Sequence, residues 1–204
     1  DREFAWITYF FVILFIALMG YIVYFTIVRA STFVNSPYNQ RQEAFAKNVV
    51  RGNITDRNGN ILAQTQTADD GTETRYYPYG SLFSHVVGYS NPDLGRTGLE
   101  SVENFELLTS NAFFVEKIQN EFDGSKNQGD TVVTTLDADL QQAASDALGD
   151  YKGAAIVMEA DTGKILAMVS KPEFDPNEIE SDWDTLNTDT ENSPLLNRAT
   201  SGSY

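Results

Sequence analysis

Apolar residues dominate the start of the chain. From Phe4 to Val28, 25 residues pass without a charge. As a helix this run is roughly 37 Å long, enough to cross a bilayer with some tilt. Trp6 and Tyr9 near one end, and Tyr21 and Tyr24 near the other, take the places of interfacial aromatics, and Gly20 is tolerable in lipid. The run exceeds the about 7–15 apolar residues of a cleaved signal sequence, and Ala30-Ser31-Thr32 makes a poor cleavage site. Core helices of soluble proteins seldom stay apolar for this length. The pattern predicts a transmembrane anchor over residues 1–28.

A polar juncture follows over residues 35–41, where Pro37 breaks a continuing helix. Residues 29–48 read as a juxtamembrane linker. Residues 49–63 read as a β-hairpin: Val50, Ile54, Ile61 and Leu62 supply apolar strand positions, and Asn58-Gly59 is a two-residue turn signal. A second hairpin pairs residues 61–67 with 72–77 across Asp69-Asp70-Gly71. The short apolar stretch 82–89 fits helix or strand equally. Gly95-Arg96-Thr97-Gly98-Leu99-Glu100 is a glycine-punctuated turn leading into a helix through Val102, Phe105 and Leu108. There Glu100 lies in the first turn, favourable to the helix dipole.

Residues 123–127 form a polar loop, and 131–136 a strand rich in β-branched residues. The clearest soluble helix places Leu136, Leu140, Ala143, Ala144, Ala147 and Leu148 at helical spacing, with Asp137 or Thr135 as the N-cap and Gly149 at the end. Residues 154–158 and 165–169 form another hairpin around Asp161-Thr162-Gly163-Lys164. From Lys171 onward the chain is polar, acidic and punctuated by Pro172, Pro176 and Pro194, and it reads as loop. Strands and helices follow no regular alternation, so the fold class is α+β rather than a doubly wound sheet.

Charge narrows the partners. The net charge is -15, from 29 acidic and 14 basic residues, which argues against nucleic acid and against docking on anionic lipid through the globular part. With no cysteine, disulfides, thiolate metal sites and cysteine nucleophiles are excluded, and His85 is the only histidine. Asp56, Asn58 and Asn60 open like a calcium loop, but Ile61 stands where glycine is needed and Thr67 where glutamate is, so the hairpin reading prevails. Asp137 and Asp139, two apart, share no helix face, so they are not paired for acid–base work. No phosphate-binding loop is present, and no cofactor or metal is expected.

The residues also carry a family resemblance. Arg51-Gly52-Asn53-Ile54-Thr55-Asp56-Arg57-Asn58-Gly59-Asn60-Ile61-Leu62-Ala63 resembles the R-G-x-I-x-D-R-x-G-x-x-L-A signature that opens the non-catalytic pedestal, or dimerisation, domain of class B penicillin-binding proteins. Val86-Val87-Gly88-Tyr89 with the 95–100 turn resembles their G-x-x-G-x-E segment. Thr134-Thr135-Leu136-Asp137 with Leu140-Gln141 resembles the lead-in to the transpeptidase domain, and Gly153–Val157 with Thr162–Met168 that domain's first hairpin. The resemblance spans nearly the whole chain. It implies a transmembrane anchor (1–28), a linker (29–48), a pedestal (49–150) and an incomplete start of a β-lactamase-like transpeptidase domain (151–204). It also implies a bulk outside the cytoplasm, where the loop charges Arg29, Arg41, Lys47 and Arg51 alone would place it inside.

Such enzymes cross-link peptidoglycan stem peptides through a serine in S-x-x-K, with the lysine one helical turn on to assist deprotonation; S-x-N and K-T-G complete the site. This sequence contains neither S-x-x-K nor K-T-G. Ser125-Lys126-Asn127 matches S-x-N only by coincidence, and Ser201 and Ser203 have no lysine three residues on. The expectation is no catalytic residue here, a cut before the nucleophile, and no acylation by β-lactams. The resemblance implies stem peptides and β-lactams as ligands of the whole enzyme, and a SEDS-type glycan polymerase docking on anchor and pedestal. Arg51, Gly52, Asp56, Arg57, Gly59, Gly98 and Glu100 are expected to serve structure, with Glu100 pairing to Arg51 or Arg57. Residues from about Gly153 onward are expected to be poorly ordered, since a lone hairpin is marginal. The competing reading is a non-enzymatic membrane-tethered scaffold or sensor that keeps only the pedestal.

Overall fold

The computed structural model describes residues 2–29, 49–109 and 126–202, and the chain divides into two compact units, residues 1–39 and 40–204. The polar juncture at 35–41, most of the 123–127 loop and Ser203 lie outside the described residues.

The first unit is α1 (Arg2–Tyr24), continued by a π turn over Phe25–Arg29. Every side chain from 4 to 28 is exposed, although nearly all are apolar. Thr8 and Thr26 donate their hydroxyls to the carbonyls of Phe4 and Ile22, each at 2.9 Å, so both threonine hydroxyls in the run are satisfied within the helix. That is what a hydrocarbon environment requires. Among the described residues this is the one helix long and apolar enough to cross a membrane.

The second unit runs β1 (Val49–Val50), β2 (Ile54–Thr55), β3 (Ile61–Thr67), β4 (Glu73–Tyr76), a 3-10 turn over Gly80–Phe83, α2 (Ser84–Val87), β5 (Ser90–Asn91), β6 (Gly95–Arg96), α3 (Gly98–Val102), α4 (Asn104–Leu108), β7 (Asn127–Gln128), β8 (Val132–Val133), α5 (Ala138–Leu148), β9 (Gly153–Met158), β10 (Ile165–Lys171) and α6 (Ile179–Thr188). The mixed α+β class is as expected. The main sheet has the order β4-β3-β2-β8; β8 joins it parallel to β2, and the other pairs are antiparallel.

All three hairpins read from the sequence form, and the first two have three-residue loops. Asp56 N–H donates to the Asn60 carbonyl at 2.9 Å, and Gly59 N–H to the Asp56 carbonyl at 3.2 Å. Gly59 sits at φ +87, so Asn58-Gly59 ends a type-I-like turn with a left-handed residue rather than forming a two-residue turn. The Asp69-Asp70-Gly71 loop closes in the same way between Ala68 and Thr72. The first hairpin is also shorter than its sequence suggests. Val49 and Val50 pair in parallel with Asn127 and Gln128, not with β3.

Three other expectations need correction. The strand predicted over 131–136 is only Val132–Val133. The helix predicted through Val102, Phe105 and Leu108 is two short helices, α3 and α4, broken at Glu103. The tail predicted as loop contains α6, in which Ile179, Trp183 and Leu186 recur at helical spacing and pack on the main core. The acidic residues around them mask that stripe in composition.

The main core gathers Ile54, Leu62, Ala63, Tyr77, Phe83, Val87, Tyr89, Leu107, Leu136 and Phe174. A smaller cluster lies between α5 and the β9–β10 hairpin, from Ala144, Ala167 and Val169 with Leu148, Ala155 and Val157. The hairpin is therefore not alone, since α5 covers one of its faces. The opposite face leaves Ile156 and Met158 exposed.

Candidate functional site

Two buried polar constellations organise the second unit. The first centres on Glu100, in the first turn of α3 and fully buried. Arg51 Nε donates to its Oε2 at 2.6 Å, and Arg75 Nε to its Oε1 at 2.7 Å. Arg51 also reaches the Glu100 carbonyl at 2.6 Å and the Asn104 amide oxygen. Arg75 Nη1 ties back to the Gly52 carbonyl at 2.7 Å and to Thr65 Oγ1 at 3.1 Å. Tyr77 points its hydroxyl at Glu100, 3.4 Å away, and accepts the Ser90 N–H at 2.8 Å. Burial, and then the Glu100 charge, push the Tyr77 phenol well above its ordinary range, so it stays a neutral donor. Burial holds Arg51 below its ordinary value; Glu100 works against that, and Arg75 and Arg96 add to it. One carboxylate thus fastens the residue that follows β1, the middle of β4 and the α3–α4 pair.

The sequence named Arg51 or Arg57 as partner of Glu100. The structure uses Arg51 and Arg75. Arg57 is exposed and engages through its backbone, its N–H donating to the Leu136 carbonyl at 2.9 Å. Arg75, Asn104 and Tyr77 were missed. The available signal was a charge in a strand just ahead of Tyr76 and Tyr77, where a long cation must find a partner or stay exposed.

Asp56 is the second centre, with no exposed surface. Its Oδ1 accepts the N–H groups of Asn58 and Asn60, both at 2.8 Å; its Oδ2 accepts Asn60 Nδ2 at 2.9 Å and Ala138 N–H at 3.2 Å. Burial raises its pKa, but these donors outweigh it and hold the carboxyl below its ordinary value. Ala138 is the first residue of α5, so Asp56 supplies a charge to that helix's N-terminus from the β2–β3 loop. Asp137 is the N-cap proper, accepting from Asp139 and Leu140.

The glycines mark close approaches. A Cβ at Gly52 would lie 1.9 Å from the Asp130 carbonyl oxygen, so no side chain fits between the strands there. Gly98, at φ +55, would bring a Cβ to 2.7 Å from the Val86 carbonyl oxygen.

Further along, Gln141 is fully buried and bonds like a strand. Its Nε2 donates to the carbonyls of Leu82 and Met168, both at 2.9 Å, and its Oε1 accepts the Met168 N–H at 2.8 Å. It clamps α5 to β10 and to the 3-10 turn. His85 is packed rather than ligating. Its Nε2–H donates to the Pro172 carbonyl at 3.0 Å, its ring meets Phe174 edge-on, and burial lowers its pKa. Ser170 is buried, donates to the Leu196 carbonyl and accepts the Arg198 N–H, which is a structural arrangement. Among the described residues no cluster of carboxylates and histidine could hold a metal ion.

The comparisons agree with this architecture. Residues 51–132 match the penicillin binding protein A dimerisation domain, and residues 153–204 the penicillin binding protein transpeptidase domain. The peptidoglycan D,D-transpeptidase PbpA of Mycolicibacterium smegmatis is 36% identical over 183 residues, covering 82% of this chain and 37% of that protein. The peptidoglycan D,D-transpeptidase MrdA of Escherichia coli K12 is 29% identical over 203 residues, 80% of this chain and 32% of that protein. In structure, penicillin-binding protein A from M. tuberculosis, as an imipenem acyl-enzyme complex, superposes with a TM-score of 0.65 at 35% identity, covering 73% of this chain and 37% of that one. The chain thus spans about a third of the length of these relatives.

Proposed function

The chain belongs to the penicillin-binding proteins, and from that premise we propose that it is the membrane-anchored supporting part of a peptidoglycan D,D-transpeptidase that cross-links stem peptides outside the membrane. The carrying observation is Asp56. Set in the pedestal signature, it bonds the first N–H of α5, the helix that covers the transpeptidase hairpin β9–β10. This buried charge-assisted hydrogen bond fixes the start of α5 within the 49–150 part, and the packing of α5 on β9–β10 supports a junction with the transpeptidase opening. In this reading α1 crosses the bilayer, residues 29–48 link it to the pedestal at 49–150, and the transpeptidase part opens at 151–204.

The chemistry such an enzyme performs is acyl transfer through a serine activated by a lysine one helical turn away. No such pair occurs in these 204 residues. Their task is positional: they support the transpeptidase domain and tether it to the membrane. A polytopic glycan polymerase of the SEDS type would dock on the anchor and pedestal. The match of residues 153–204 to a transpeptidase domain favours this over a scaffold reduced to its pedestal.

Depletion in the parent cell tests the reading. The fraction of stem peptides found as cross-linked dimers by muropeptide chromatography is expected to fall, and the protein drawn from mild detergent is expected to bring a glycan polymerase with it. Unchanged cross-linking overturns the enzymatic reading; clean extraction without the polymerase overturns the docking.

A further inference from the structure

Beside the Glu100 junction lies a cavity of about 400 Å³, lined among others by Arg51, Arg75, Arg96, Thr65, Glu73 and Ser90. That is within the size range of small-ligand sites. Three arginines face one cavity in a protein of net charge -15. Glu100 lies behind the cavity and is already shared between two of them. Glu73 lies on its rim and is paired with Lys126 at 2.7 Å. The cavity therefore carries a surplus of positive charge.

The donors are not used up. Each Arg51 nitrogen has a partner. The Arg75 side chain is only 7% exposed, yet its Nη2 has no hydrogen-bond partner among the described residues. Arg96 Nε is buried and has none either. Leaving a charged donor buried and unpaired is costly, and native structures rarely do so without a ligand, ion or water in place. The mutual repulsion of the guanidiniums points the same way, since Arg75 and Arg96 both depress the Arg51 pKa.

We propose that this cavity is an oxyanion site, which takes a carboxylate or phosphate group against the Arg75 and Arg96 guanidiniums. Guanidinium nitrogens match the planar or tetrahedral oxygens of such groups, and burial strengthens the bond. This site lies apart from the Asp56 contact and does not depend on the transpeptidase reading.

The test uses the full chain in detergent micelles. Melting temperature and calorimetric binding are followed during titration with sodium acetate and, separately, inorganic phosphate, with sodium chloride at matched ionic strength as reference. At least one oxyanion is expected to raise the melting temperature above the chloride reference, and the stronger of the two identifies the group. Arg96→Gln, which leaves the Glu100 junction intact, is expected to weaken that binding about tenfold or more. Arg57→Gln removes an exposed charge elsewhere and is expected to leave binding unchanged. Equal responses to chloride and both oxyanions overturn the site, as do equal losses in Arg96→Gln and Arg57→Gln, which reduce the effect to general charge.

Discussion

Glu100 shows how one side chain can carry a junction. It is buried with two arginines and a tyrosine donating to it, and each would be left with an unmatched donor if the carboxylate were removed. Breaking a buried ion pair from one side costs about 3–5 kcal/mol, far more than the under about 1 kcal/mol of an exposed pair. Glu100→Ala is therefore expected to lower the melting temperature strongly, while Arg57→Ala, at an exposed position, is expected to change it little. A melting temperature unaltered in Glu100→Ala would show that the pair contributes nothing. The sequence pointed to Glu100 because a glycine turn set it at a helix start. It could not find Arg75, because that answer depends on how β3 pairs with β4. Thr65 stands opposite Arg75 across that pairing, a register no local pattern fixes.

At the scale of elements, the legible parts were those with local causes. Gly59 and Gly71 mark the two loops, and Asp137 and Gly149 bound α5, because turn and cap chemistry acts over a few residues. The parallel pairs β1–β7 and β2–β8 were not legible. Each joins two-residue segments far apart in sequence, too short to show any period. The α6 helix was missed because polar composition was weighed above the spacing of Ile179, Trp183 and Leu186. Gln141 carries the element-scale prediction. Gln141→Leu keeps the volume but strands two carbonyls and one N–H that face it. A buried unsatisfied group costs about 1–3 kcal/mol, so the variant is expected to lose at least about 2 kcal/mol in urea unfolding. Its Met168 amide is expected to lose hydrogen-exchange protection. Retained protection would mean that β10 does not rely on this side chain.

For the molecule as a whole, the sequence disclosed the order of parts better than their joints. The apolar run, the pedestal signature and the transpeptidase hairpin could be read in line. The joints, Asp56 to α5 and Gln141 to β10, could not, since they are hydrogen bonds between residues 82 and 27 positions apart. These joints explain why the signature is tied to the transpeptidase opening: a buried carboxylate with four donors is satisfied only where all four come together. We propose that these residues support acyl transfer without performing it. Incubating the 204-residue chain with a fluorescent penicillin, followed by mass spectrometry of every serine peptide, tests this most directly. The expected result is no covalent adduct. A stoichiometric adduct on any serine, Ser170 and Ser201 included, would contradict it.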